Sequence, residues 1–354
     1  MKLILAPMAA ISHSGLRRLI AEFGEPDEYF SEMIHAPSAI SGGGFEKWYF
    51  RCNPSPEKLV WQVTSPEAES AAKAVPILLK NGGFGIDLNM GCCAPQIVNT
   101  GAGFAWVQKP YSETAEFVRK VKEAVLKWEN GGMPLNDSHS VKEKSALEGF
   151  KSSRIRLSVK LRLGETEDYA ALLKFCKMLV SEGAELITLH PRTRRQKYSR
   201  PCKHQYTARL AEDLSIPVYA NGDIDSLNKF SEYSSIYKCS GWMIGRAAVQ
   251  KPWIFSEIKE TLISGAENNM RENEIDLFKT ACRFLQLLKE EQPEEFYLTR
   301  AQRFFAYFCD NFKFAHHIKS KILNCKNLES MRQKLEEYFQ EVPEDIIYNC
   351  RLPF

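Results

Sequence analysis

Short apolar runs recur along the chain, each followed by a longer segment whose apolar residues repeat at helical spacing. The runs predict strands at residues 3–8, 29–34, 59–63, 84–90, 157–163, 186–190, 218–220 and 242–244. Amphipathic spacing predicts helices between several of them, at residues 68–80, 113–128 and 169–182. Eight strands alternating with helices argue for an α/β fold with a parallel sheet, and the count suits closure into a (β/α)8 TIM barrel. A doubly wound open sheet would need fewer strands and usually a glycine-rich turn after the first, which is missing here.

The strand pattern stops after residue 254. Residues 276–291, 298–312, 315–323 and 328–340 carry apolar stripes at helical spacing. This predicts a barrel over residues 1–258 and a small all-α helical domain over residues 270–354. One irregular stretch, about 130–153, interrupts the barrel: Gly131, Gly132, Pro134, Asn136 and Asp137 precede a Ser/Lys/Glu mixture. It reads as a surface excursion between the fourth and fifth strands.

Composition changes this picture little. The chain has 354 residues, enough for a barrel of about 250 residues with a small domain beside it. No apolar run approaches the roughly 20 residues of a membrane span, and the N-terminus lacks the pattern of a signal peptide. Ten cysteines are scattered without a Cys-x-x-Cys, which favours a reduced, cytoplasmic protein. No metal site is legible. A net charge of +3 does not announce a nucleic-acid partner by itself, so the placement of charge carries the argument.

In such a barrel, reactive residues stand at the C-terminal ends of the strands. Met8, Gln62, Asn89, Cys92, Lys160, His190, Asn221 and Arg246 all fall there. The segment Asp87-Leu88-Asn89-Met90-Gly91-Cys92-Cys93-Ala94-Pro95 places a thiol at a strand tip, beside a glycine that admits close approach. Lys160 offers a cation for an electron-rich anionic ring, and His190 is paired in sequence with Arg192. Asn221-Gly222-Asp223 follows the seventh strand and Gly245-Arg246 the eighth, where barrels of this class frequently hold a phosphate. Two regions are basic. Residues 190–209 carry Arg192, Arg194, Arg195, Lys197, Arg200, Lys203 and Arg209 with no acid. Residues 300–334 set eight cations, among them Arg300, Arg303, Lys319 and Lys321, against only Asp310 and Glu329.

These motifs, together with Ala6-Pro7-Met8, Trp61-Gln62-Val63 and Met243-Ile244-Gly245-Arg246-Ala247-Ala248 followed by Pro252-Trp253, resemble the tRNA-dihydrouridine synthases over most of residues 1–255. That resemblance implies an FMN-dependent reductase of one uridine in tRNA, with NADPH as reductant, and a monomer. It places Pro7, Met8, Gln62, Lys160, His190, Asn221, Gly222, Asp223, Gly245 and Arg246 around the flavin. Asn89 is expected at the uracil, with Arg192, Arg194, Arg195, Lys197, Arg300, Arg303, Lys319 and Lys321 against the tRNA. Cys92 is the implied proton donor; a thiol, with a reference pKa near about 8.5, keeps its proton at neutral pH. Cys93 stands where the family has proline and adds a second thiol able in principle to rescue a Cys92 variant in part; because adjacent residues of an extended segment point to opposite sides, Cys92 is the expected sole acid. Lys197 likewise replaces a common glycine. Two other readings stay open: an FMN-dependent barrel oxidoreductase acting on a free small molecule, and an RNA-binding homologue without catalysis.

Overall fold

The computed structural model describes residues 1–131, 154–196, 198–264 and 274–349. The predicted excursion therefore lies almost wholly outside the described residues, as do Lys197 and most of the connection to the helical region. Eight parallel strands close in chain order: β1 Lys2–Leu5, β2 Glu28–His35, β3 Leu59–Thr64, β4 Gly85–Met90, β5 Arg156–Arg162, β6 Leu186–His190, β7 Val218–Asn221 and β8 Gly241–Ile244. β8 pairs back onto β1, Leu5 opposite Ile244. All eight predicted strands are present. β1 stops at Leu5, short of the predicted residue 8, because the chain turns: Ile11 and Ser12 both donate backbone N–H groups to the Met8 carbonyl.

Alternation along the strands sorts the side chains into two sets. Leu3, Leu5, Trp61, Val63, Ile86, Leu88, Leu157, Val159, Ile187, Leu189, Trp242 and Ile244 point outward and join one apolar core with the surrounding helices. Ile4, Ala6, Phe30, Val60, Leu186, Tyr219 and Met243 form a second, smaller core, the plug that fills the barrel. The lower end of the plug is closed by Glu28. Its carboxylate accepts both Nη atoms of Arg156 (2.8 and 2.6 Å), Lys2 Nζ (2.8 Å) and the Tyr219 hydroxyl (2.9 Å).

Beyond the barrel run four helices, Leu277–Glu291, Glu294–Phe308, Ala315–Leu323 and Leu328–Glu341. Asp276 and Asn327 cap two of them by accepting the Lys279 and Ser330 N–H groups. The second helix spans residues 294–308 rather than the predicted 298–312. Pro293 sets its start, and a 3₁₀ turn over Cys309–Asn311 ends it. A two-stranded antiparallel pair that the apolar pattern did not announce joins Glu274–Asp276 to Ile347–Asn349, three residues each and too short for a periodic signal. The helices pack on the barrel through charge pairs: Arg18 and Arg51 meet Glu291 at 2.7 and 3.0 Å, and Arg300 meets Glu32 at 2.8 Å. Among the described residues, no helix is long and apolar enough to cross a membrane.

Glu28→Ala would strand the Arg156 guanidinium, whose side chain is only 17% exposed. A loss of about 3–5 kcal/mol in unfolding free energy is expected, read by urea denaturation.

Candidate active site

Above the apolar plug the inward positions turn polar. Strand register sets Gln62, Asp87 and Ser158 side by side. One pleat higher it aligns Asn89, Lys160 and Thr188, and above them Arg162 and His190. The first two layers form a directed chain of hydrogen bonds. Asp87, fully buried, accepts from Ser158 Oγ (2.7 Å) and Gln62 Nε2 (2.8 Å). A carboxylate only accepts, so the Gln62 amide must present its nitrogen there and its oxygen away. That oxygen takes Asn89 Nδ2 (2.9 Å), leaving Asn89 Oδ1 to accept the backbone N–H groups of Cys92 (3.0 Å) and Gly91 (3.3 Å). On the other flank the Cys92 carbonyl accepts Phe104 N–H (2.9 Å). Gly103, at φ 60°, makes this approach possible, since an added Cβ would lie 2.8 Å from the Cys92 oxygen.

Cys92 is thereby held at a strand tip, half-buried and without a disulfide. Cys93 turns its sulfur back on the Gly91 carbonyl at 3.5 Å, and burial pushes its thiol pKa up. Lys160 makes no hydrogen bond or ion pair among the described residues; burial, then Arg162, lowers its pKa to about 8. The Thr188 hydroxyl beside it is buried without a partner. An unpaired cation and an unpaired hydroxyl facing the barrel axis suit an acceptor-rich ligand edge.

His190 is buried, and burial followed by Lys160, Arg162 and Arg192 holds its pKa well below 6.5. Arg192 Nη1 lies 2.9 Å from His190 Nε2. Arginine cannot accept, so this nitrogen accepts and the ring carries its proton on Nδ1. Gly222, at φ 116°, lies against the same ring: an added Cβ would stand 2.3 Å from Cys202 Sγ and 3.0 Å from His190.

Several sequence-predicted residues take other places. Arg192 is buried and its Nη2 donates to both Asp223 oxygens (2.7 and 2.9 Å), so it is an internal strut and not a surface contact for RNA. Asp223 also accepts Cys202 N–H (2.6 Å), and its carboxylate is spent on these neighbours. Asn221 donates to the Met243 carbonyl at 2.9 Å. Arg300 is buried against Glu32 and is likewise withdrawn from the RNA-facing set. Lys319 pairs with Asp310 and Arg194 with Glu165. The basic helical run is further compensated by acids that follow it in sequence: Glu344 for Lys313, Glu336 for Arg332 and Glu337 for Lys334. Arg195, Arg246 and Arg303 are exposed, and Lys321 is half-buried. Pro7, Met8 and Gly245 are brought together at the mouth, where an added Gly245 Cβ would stand 3.4 Å from Met8 Sδ. Tyr198, 63% exposed, was not singled out by the sequence; its ring stands 4.9 Å from the Arg246 guanidinium and 6.1 Å from His190.

A family model described as dihydrouridine synthase matches residues 4–135 and 139–343. This chain belongs to that family. A probable tRNA-dihydrouridine synthase of Aquifex aeolicus is 30% identical over 263 residues, 73% of each chain. A tRNA-dihydrouridine(16) synthase of Neisseria meningitidis is 25% identical over 352 residues, 96% of each chain, and tRNA-dihydrouridine synthase B of Pseudomonas syringae pv. tomato is 28% identical over 74% of this chain and 69% of its own. Among solved structures, a 2-naphthoyl-CoA reductase complex shares the fold (TM-score 0.51, 9% identity). The likeness covers 73% of this chain and half of that one.

Burial raises the Asp87 pKa from 3.8 to about 6 against the hydrogen bonds of Gln62 and Ser158. Between about pH 4 and 6 the folded state therefore holds a proton that the unfolded state has released, and this contribution to stability falls as pH rises. Asp87→Asn removes it. Its unfolding free energy is expected to gain on wild type from pH 4 to 6 and to run parallel above pH 7, as measured by urea titrations at each pH.

Proposed function

We propose that the chain reduces the C5–C6 bond of a uridine in tRNA, with FMN bound across the barrel mouth and NADPH as the source of electrons. The observation that carries this reading is the Cys92 backbone, fixed on both flanks beside the unpaired Lys160. Pro7, Met8, Gln62, Lys160, His190, Gly222, Gly245 and Arg246 would hold the cofactor, with Asn221 and Asp223 shaping its phosphate end from behind. Bound there, reduced FMN supplies the hydride. The chain's own residues do the rest. Lys160 presents positive charge to the electron-rich ring edge, and neutral His190 offers a single N–H. Asn89 keeps one amide hydrogen for the uracil, while its oxygen anchors the Cys92 loop. The Cys92 thiol donates a proton to C5.

The uridine has to leave its stack to reach this depth. Exposed Arg195 and half-buried Arg194 at the mouth, with Arg303 and Lys321 on the helical region, are the cations we propose for the tRNA backbone. The helical region, residues 270–354 in the sequence reading, would serve as the tRNA-binding domain and residues 1–258 as the catalytic one. The N. meningitidis relative aligns through both, so uridine 16 is the position to map first.

Mass spectrometry of unmodified tRNA, incubated with the FMN-loaded protein and NADPH, is expected to show two added hydrogens on one uridine. No mass change despite bound flavin and bound tRNA would overturn the reading. Cys92→Ala should lower turnover by about 10²–10⁴-fold, and Cys93→Ala should leave it near wild type; the opposite ranking would reassign the acid. The double variant Arg303→Glu/Lys321→Glu should weaken tRNA binding without loss of flavin, as read by a filter-binding titration alongside the flavin absorbance.

A further inference from the structure

Among the described residues only two that are not glycine have positive φ, Ala10 (59°) and Asp223 (58°). Both stand at the barrel mouth, and both are held by an arginine–carboxylate pair. For Asp223 the partner is its neighbour in space, Arg192. For Ala10 the pair is remote in sequence. Its N–H donates to Glu32 Oε1 at 2.7 Å, and Glu32 Oε2 accepts Arg300 Nη1 at 2.8 Å, across 268 residues. The two charged side chains are 4% and 2% exposed. The Arg300 guanidinium is enclosed by the Tyr49 and Phe296 rings, at 5.4 and 4.9 Å.

Ala10 lies in the tight turn that follows β1. Ser12 Oγ accepts Met8 N–H at 2.9 Å, and the Met8 carbonyl accepts Ser12 N–H at 3.0 Å. The turn fixes where Pro7 and Met8 sit beside Gly245. An alanine at positive φ resists this shape, and a residue of that kind persists only where its surroundings enforce it. The enforcing group is a carboxylate whose one ion pair among the described residues is with a guanidinium from the helical region, the buried Arg17 adding only a more distant positive charge. Removing that guanidinium leaves Glu32 charged and buried, and it must then rearrange or draw in water.

We propose that Glu32 and Arg300 are positioning residues for the cofactor, through which the helical region shapes the Pro7–Met8 turn of the barrel. Arg300 thus serves flavin binding and not tRNA binding. The proposal rests on the flavin reading above. It follows that the helical region contributes to the reducing centre as well as to substrate capture.

The test uses full-length wild type, Arg300→Gln, Arg300→Lys, Glu32→Gln and the double variant Ala10→Gly/Arg300→Gln, each stripped of flavin. FMN affinity is read by quenching of FMN fluorescence, tRNA affinity by filter binding, and exchange of the Ala10 amide by mass spectrometry. Arg300→Gln is expected to weaken FMN binding about tenfold or more, to speed Ala10 exchange, and to leave tRNA affinity within about twofold. Glycine at position 10 accepts positive φ without strain, so the double variant should recover most of the lost FMN affinity. Arg300→Lys should fall between wild type and Arg300→Gln. FMN affinity within twofold of wild type in Arg300→Gln would overturn the proposal. So would loss of tRNA binding in its place, or a double variant no better than the single one. If Arg300→Gln does not fold, Glu32→Gln, which keeps the volume and one acceptor, decides by the same criteria. Should wild type take up no FMN, the flavin reading falls, and unchanged Ala10 exchange would then sink the pairing role separately.

Discussion

Pairing of β8 with β1 closes the sheet, and closure leaves each inward side chain only other inward side chains as neighbours. Whatever polarity the alternation delivers to the inside must be satisfied there or kept for a ligand. At the lower end the solution is apolar, with Glu28 as a charged stopper. Higher up the strands supply amides, hydroxyls and charges in successive pleats, and most of these are used on one another. Lys160, Thr188 and, by the same alternation on β3, Thr64 are left over. The position of the candidate site is thus a remainder: it lies where the internal accounting of the barrel does not close.

The amide chain from Asp87 to Cys92 shows how one ionised group can orient several neutral ones. Glutamine and asparagine amides are indifferent to which way they face until a neighbour of fixed polarity decides it. Asp87 makes that decision at the bottom of the site, and the outcome reaches the backbone of the cysteine loop through Gln62 and Asn89. Arg192 and Arg300 work in a similar way on loops in place of amides. Each puts a planar, permanently charged donor against a carboxylate, Asp223 half-buried and Glu32 buried, and each carboxylate in turn holds a backbone N–H of a mouth loop.

The barrel was legible in the sequence because its signal is periodic and long: eight apolar runs with helical segments between several of them. The strand-end residues followed from that frame, since alternation and the C-terminal edge together name Gln62, Asn89, Lys160 and His190. The basic patches were read less well. A count of charges cannot separate an exposed arginine from one that has crossed the molecule to meet an acid, and Glu32 and Arg300 are 268 positions apart. Nor did a window ending at Lys334 include the glutamates that follow it and neutralise its neighbours. The short antiparallel pair near residue 349 and the placement of Tyr198 beside Arg246 and His190 left no pattern, because three residues make no period and a single exposed ring looks like any other.

The way the cysteine loop is anchored bears on how Cys93 can stand where the resemblance leads one to expect proline. Asn89 grips the loop through the N–H of Cys92, and Phe104 grips it through the Cys92 carbonyl. Both holds act on position 92 itself, while position 93 adds only the contact of its sulfur with the Gly91 carbonyl, so a rigid ring there adds little that is not already supplied. A constraint on position 92 then leaves the next residue free to vary. A second thiol can stand beside the first with no change in where the first is aimed.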